Sequence, residues 1–219
     1  SNKMDVSSPP LDHASFQELF DLWEMAFGKD VEPDITSDVL AGNENDANDF
    51  RIYREFDGGR IAASAIVVVP RGLPVLGALG EVATHPLFRN RGLATGLCRR
   101  LLEDFEDRGG EALFLGTVNP DAARIYERFG WAHVSETRLM VKLAGGETPQ
   151  QFLADYFVDL LPLEVRVAEP GSRIPVIPLI ISPHNWRVMD ANVSMLSTGI
   201  EEQKSCLGLY NRYQHLREN

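Results

Sequence analysis

The sequence predicts an α/β fold, a sheet with helices on its faces, and three observations carry that expectation. Helical and strand patterns alternate from Asp12 to Leu143 in the order helix, strands, helix, strand, helix, strands. Leu93, Leu97, Leu101 and Phe105 recur every four residues, with Leu102 widening the stripe, as on the buried face of an amphipathic helix. Just before that helix, Leu73 to Thr84 is rich in Leu, Val, Ala and Gly with a single acid, Glu81, and reads as a largely buried strand.

Taken in order, Phe16, Leu19, Phe20, Trp23, Ala26 and Phe27 predict a helix over Asp12 to Phe27, stopped by Gly28. Gly42 to Asp49 is rich in Asn and Asp and reads as loop. Phe50 to Phe56 and Arg60 to Val69 flank the turn Asp57-Gly58-Gly59, a hairpin signal. Arg71-Gly72-Leu73-Pro74 turns the chain into the strand that carries Glu81. Ala112 to Val118 is a short apolar strand, and Asn119-Pro120 then caps and starts a helix that Gly130 closes. Trp131 to Glu136 and Arg138 to Leu143 complete the strands.

Beyond Leu143 the run Ala144-Gly145-Gly146-Glu147-Thr148-Pro149 reads as a linker, which divides the chain into residues 4–143 and a C-terminal extension, residues 150–219. Gln150 to Leu161 predicts an amphipathic helix, and Leu163 to Ala168 a short strand before the turn Pro170-Gly171. Pro175 and Pro178 argue against a regular strand or an unbroken helix over Ile174 to Ile181. The extension is open to three roles, packing on the first domain, covering a cleft, or building a homodimer contact, and the Trp186, Met189, Met195 and Leu196 cluster offers apolar material for any of them. A small second domain and a partial repeat of the first are also open readings of it.

Composition narrows the function. A formal net charge of −11 over 219 residues repels a polyanion, so nucleic acid is not an expected partner, while a cationic amine is attracted. The five histidines show no ligand spacing, so no metal is expected. No run of 18 apolar residues or apolar leader is visible, so neither a membrane partner nor export is expected. The two cysteines, Cys98 and Cys206, lie far apart, which suits reduced thiols and a cytoplasmic setting.

The segment joining the buried strand to the long helix carries the first chemical signal. A helix start leaves its first N–H groups without internal partners and concentrates positive dipole there. Arg89, Asn90, Arg91, Gly92, Leu93 and Ala94 therefore present amide donors and cationic side chains to an anion. Gly92 and Ala94 are small where a phosphate would approach the backbone.

Arg89-Asn90-Arg91-Gly92-Leu93-Ala94 matches the pattern Gln/Arg-x-x-Gly-x-Gly/Ala, and a second motif follows in Asn119, Ala122, Ala123, Tyr126 and Phe129-Gly130-Trp131. On these two motifs the chain resembles the GNAT superfamily of N-acetyltransferases over about residues 4 to 143. The resemblance implies a mixed, mostly antiparallel sheet flanked by helices, with the extension lying outside it. It implies acetyl-CoA as co-substrate, bound by the Arg89 to Ala94 loop, by backbone groups of Val82, Ala83 and Thr84, and by Asn119. It implies Tyr126 as the acid that meets the departing thiolate, a role that a tyrosine of ordinary pKa near 10 suits.

The base is read from the residues. Glu81 is the only carboxylate in its strand, and partial burial would raise its pKa toward the working range. Family members with a base on this strand often carry it elsewhere, and an odd shift reverses the facing side unless a bulge intervenes. His85, before Pro86 at the strand end, is a lesser candidate that a turn explains equally. The implied function is transfer of an acetyl group from acetyl-CoA to a primary amine of a small molecule or peptide by direct attack. The alternative is an acyl-CoA-binding regulatory module without catalysis.

Overall fold

Strand β1 (Lys3–Ser7) lies antiparallel to β2 (Asn48–Asp57), which pairs antiparallel with β3 (Arg60–Pro70) and, through it, with β4 (Leu76–Thr84). In the computed structural model, which describes residues 3–28, 33–135, 137–159, 164–182, 185, 187–190, 195–197, 207 and 209–218, these strands form one half of a sheet. The other half is β5 (Ala112–Gly116), β7 (Leu139–Leu143) and β6 (Ala132–His133), antiparallel in that spatial order. Only the join between halves, β4 to β5, is parallel. The architecture is the expected mixed, mostly antiparallel sheet. The N-terminal strand β1 was not legible in the sequence.

Helices cover both faces. On one lie α1 (His13–Phe27) and α2 (Pro33–Leu40), and on the other α3 (Leu93–Asp107) and α4 (Pro120–Arg128). Asp12 starts α1 by accepting the Ser15 N–H at 2.7 Å, and Gly28 at φ 63° ends it. Leu19, Leu22 and Trp23 pack with Ile52, Ile66 and Phe114 on the first face. The predicted α3 stripe, Leu93, Leu97, Leu101, Leu102 and Phe105, packs with Tyr53, Val67 and Leu113 on the second. β3 is buried along its length from Ile61, because both faces are covered. Gly77 lets α3 close on the sheet: a Cβ there would stand 2.8 Å from the Phe105 ring.

The extension joins the first core. Helix α5 (Pro149–Tyr156) opens with a capping box in which Thr148 and Gln151 exchange hydrogen bonds. Of Leu163 to Ala168, expected as a strand, Leu163 lies outside the described residues, residues 164–168 have no regular structure, and Val165 and Val167 are exposed. Over Val176–Ile181 the chain forms a short helix, α6, despite its prolines. Pro175 stands just before it and Pro178 falls in its first turn, where a missing N–H costs no internal bond. Ile174, Ile177 and Ile181 are buried against the first face with Phe152 and Leu153. At about 1.5–3 kcal/mol for each buried side chain, they contribute substantially to that core. β8 (Val188–Asp190) and β9 (Met195–Ser197) form an antiparallel pair containing Met189, Met195 and Leu196, and α7 (Leu209–Glu218) follows; Trp186, Glu136 and Cys206 lie outside the described residues. No helix among the described residues is long and apolar enough to cross a membrane.

A buried ion pair fastens this extension. Arg173 is 1% exposed and bonds both carboxylate oxygens of Glu44, itself 4% exposed. Asn48 donates to the Pro170 carbonyl at 2.9 Å and to Glu44 at 3.3 Å. Removing one charge of a buried pair leaves the other desolvated. Arg173→Leu is therefore expected to lower unfolding free energy by about 3–5 kcal/mol in urea denaturation, and adding Glu44→Leu to recover part of the loss.

Candidate active site

Parallel pairing between β4 and β5 is confined to Leu76/Ala112, Gly77/Leu113 and Ala78/Phe114. β4 then continues to Thr84, while Leu115 and Gly116 of β5 stay with Met140 and Leu139 of β7. The strands part, and a gap opens between their C-terminal ends. The His85 N–H donates to the Ala62 carbonyl at 2.8 Å. Alternation along the ladder then commits Ala83 to β3 and turns the Val82 and Thr84 amides toward the gap. Of the three residues expected to offer backbone groups, the structure brings two to the opening.

Within β4 the register shifts: Ser64 faces Ala83 and Ile66 faces Gly80, so Glu81 and Val82 together oppose Ala65. Glu81 sits at φ 53°, in the left-handed region that a non-glycine residue seldom occupies. The bulge changes the facing phase. Leu79 and Val82, three residues apart, both pack on the α3 side, while Ala78 and Ala83 pack on the α1 side. The Glu81 side chain is half-buried at this irregularity.

Past β4, His85 starts a single 3-10 turn, Pro86–Phe88, by accepting the Leu87 N–H on Nδ1 at 3.2 Å. The ring is 8% exposed and edge-on to Phe88, so the turn accounts for it and occupies one of its nitrogens. Asn90 at φ 62° and Gly92 at φ 75° flank Arg91, a winding that turns successive amides to one concave side. Helix α3 starts at Leu93 with no side-chain cap and no acid in its first turn. Its first internal bond runs from the Gly96 N–H to the Gly92 carbonyl, so the N–H groups of Leu93, Ala94 and Thr95 precede the helical ladder. A Cβ at Gly92 would meet nothing within 4 Å, which marks open space over these amides.

The arginines divide. Arg89 is exposed beside the loop, and Arg91 stacks on Phe88 while pairing with Asp57 at 3.2 Å. Arg100 is engaged by Asp104 further along the helix. Asp104 also accepts the Tyr53 hydroxyl at 3.1 Å, so this acid belongs to a partly buried network rather than to the solvated face the sequence suggested.

Across the gap, Asn119 caps α4 by accepting the Asp121 N–H at 3.0 Å, and its own N–H donates to Thr117 Oγ1. One face of α4 brings Tyr126 inward, 7% exposed and edge-on to Trp131 at 5.7 Å. Trp131 is fixed by donation from Nε1 to the Leu113 carbonyl. None of the hydrogen bonds among the described residues uses the Tyr126 hydroxyl. Burial, with the nearby Cys98 thiol, pushes that hydroxyl well above the ordinary phenol value. Cys98 is itself fully buried, and desolvation pushes its pKa up to about 12. Both groups keep their protons at neutral pH.

The sequence reading missed two residues at the bulge. Ser64 donates to the Glu81 carbonyl at 2.9 Å and accepts from Trp23 Nε1 at 2.9 Å. The available signal was a single hydroxyl in the otherwise apolar run Ile61 to Val69.

Comparison with known proteins agrees with this arrangement. Residues 9–134, more than half of the chain, match the acetyltransferase (GNAT) domain family. No curated protein matches in sequence. Among solved structures, the Escherichia coli ribosomal-protein-S18-alanine N-acetyltransferase superposes with a TM-score of 0.50 at 20% identity, over 67% of this chain and 99% of that one. A GNAT-family acetyltransferase from Staphylococcus aureus gives 0.52 at 12% identity over 64% and 99%. An acetyltransferase from Streptococcus agalactiae gives 0.52 at 16% identity over 64% and 98%. At such identities the likeness is one of fold. The family match, covering both the uncapped α3 start and the parted strands, identifies the chain as a member of the GNAT acetyltransferases, acetyl-CoA-dependent enzymes that acetylate amines.

Proposed function

We propose that the gap between β4 and β5 is the acyl-transfer site, and that the acceptor is a primary amine of a small molecule or peptide that attacks directly. The observation that carries this is the parting of the strands after Ala78 and Phe114, with amides on one side and Tyr126 on the other. Acetyl-CoA supplies an activated acetyl group, a thiol leaving group and a diphosphate. The residues present fit it. The N–H groups from Arg91 to Thr95, open above Gly92, suit the diphosphate, with Arg89 and Asn90 beside them. Asn119 uses its side-chain oxygen for the cap and keeps its NH2 for the arm between diphosphate and thiol.

The Val82 and Thr84 amides are aimed where negative charge develops on the thioester oxygen, and a preformed donor there lowers the barrier without reorganising. Tyr126 is protonated across the working pH range and so offers its hydrogen to sulfur rather than acting as a base. Glu81, the only acid of β4, is the proposed acceptor of the amine proton, directly or through water. The acidic balance of the chain, a net −11, supports an acceptor that arrives as a cation and must lose a proton before attack.

The test is amine-dependent release of free thiol from acetyl-CoA across a panel of small amines and peptide N-termini. An active wild type with Tyr126→Phe lowered about 100-fold in kcat, at unchanged CoA affinity, is the expected result. Retention of turnover within about twofold would remove Tyr126 from the reaction. A Cβ at position 92 meets nothing within 4 Å, but valine resists the left-handed backbone there by about 1–2 kcal/mol. Calorimetry of Gly92→Val should therefore show CoA binding weakened about five- to thirty-fold in a folded protein.

A further inference from the structure

We infer that Ser64 and Trp23 are positioning residues for acyl transfer, acting through the peptide bond at the β4 bulge; the inference rests on the gap being the transfer site. Both side chains are fully buried, Trp23 on α1 and Ser64 on the α1 side of β3. An indole N–H can only donate, so its bond to Ser64 Oγ fixes which way the relay runs. The serine proton is thereby committed to the Glu81 carbonyl.

The consequence lies across the peptide plane. In a trans peptide the carbonyl and the following N–H point in opposite directions. Holding the Glu81 carbonyl toward Ser64 of β3 aims the Val82 N–H away from β3, into the gap. The Val82 side chain packs on the α3 side, against the cluster that contains Tyr126. If this peptide turned over, a carbonyl would replace the donor, and an acceptor would face the developing negative charge. Glu81 has reason to turn, since its φ of 53° is uncommon for a residue with a side chain. The relay from α1 through β3 holds the orientation that the backbone of β4 alone would not keep.

A purely structural role, satisfying a buried indole, makes a different forecast, because it concerns stability and not the thioester. The experiment uses full-length protein and acetyl-CoA labelled with 13C at the acetyl carbonyl. In difference infrared spectra, the wild-type complex should show the labelled carbonyl band below its position in water, as a strong donor requires. Ser64→Ala should move the band back toward the free position and lower kcat about tenfold or more, with CoA affinity within twofold of wild type. Ser64→Thr, which keeps the hydroxyl, should restore the band. If Ser64→Ala does not fold, Trp23→Phe, which frees the serine proton to reorient, carries the same measurement with a smaller return of the band. A shifted wild-type band that persists in Ser64→Ala, with kcat unchanged, overturns the role of Ser64 and leaves the site intact. A wild type that binds CoA without shifting the band and without amine turnover overturns the site and this inference together.

Discussion

Three parallel residue pairs hold the two halves of the sheet together, and what the chain can do depends on their number being so small. β4 finds its hydrogen bonds in β3, and β5 finds its own in β7. Once each strand is satisfied on its antiparallel side, the backbone on the other side is left to a ligand. β4, α3 and β5 make a parallel crossover, which returns the chain across the sheet and places the start of α3 at the C-terminal end of β4. The amides before the helical ladder and the amides beside the gap are neighbours for that reason. The proposed occupant is a ligand with an anion at one end and a carbonyl at the other.

The bulge at Glu81 and Val82 makes the end of β4 compatible with both cores. An unbroken strand would send Val82 to the α1 face and Ala83 to the α3 face. With one extra residue, the valine fills the α3 side and the alanine sits on the α1 side. The cost is a left-handed glutamate, and the structure offsets it with a buried serine and tryptophan. The packing of both faces and the aim of an amide toward the gap thus depend on the same few atoms.

The described residues of the extension contribute to the α1 face. Ile174, Ile177 and Ile181 share a core with Leu19 and Trp23, and Arg173 reaches back to Glu44. Trp23 is therefore braced on one side by the extension's core and bonded on the other to Ser64.

The sequence by itself determined the local features, because they depend on spacing within a few residues. The α3 stripe, the hairpin about Asp57-Gly58-Gly59, the Asn119 cap and the uncapped loop from Arg89 to Ala94 all stand where periodicity and turn chemistry put them. Tyr126 was legible as an inward residue, though its raised pKa was not, since that follows from burial beneath Trp131 and beside Cys98. The proline-bearing helix Val176–Ile181 departed from expectation, because a proline in a first turn forfeits nothing. Only the tertiary structure decided where β4 leaves β5, which way the bulge turns Glu81, and that Arg173 meets Glu44 across 129 residues. Those outcomes depend on partners distant in the chain, and no local pattern records which hydrogen bonds a strand will find on each side.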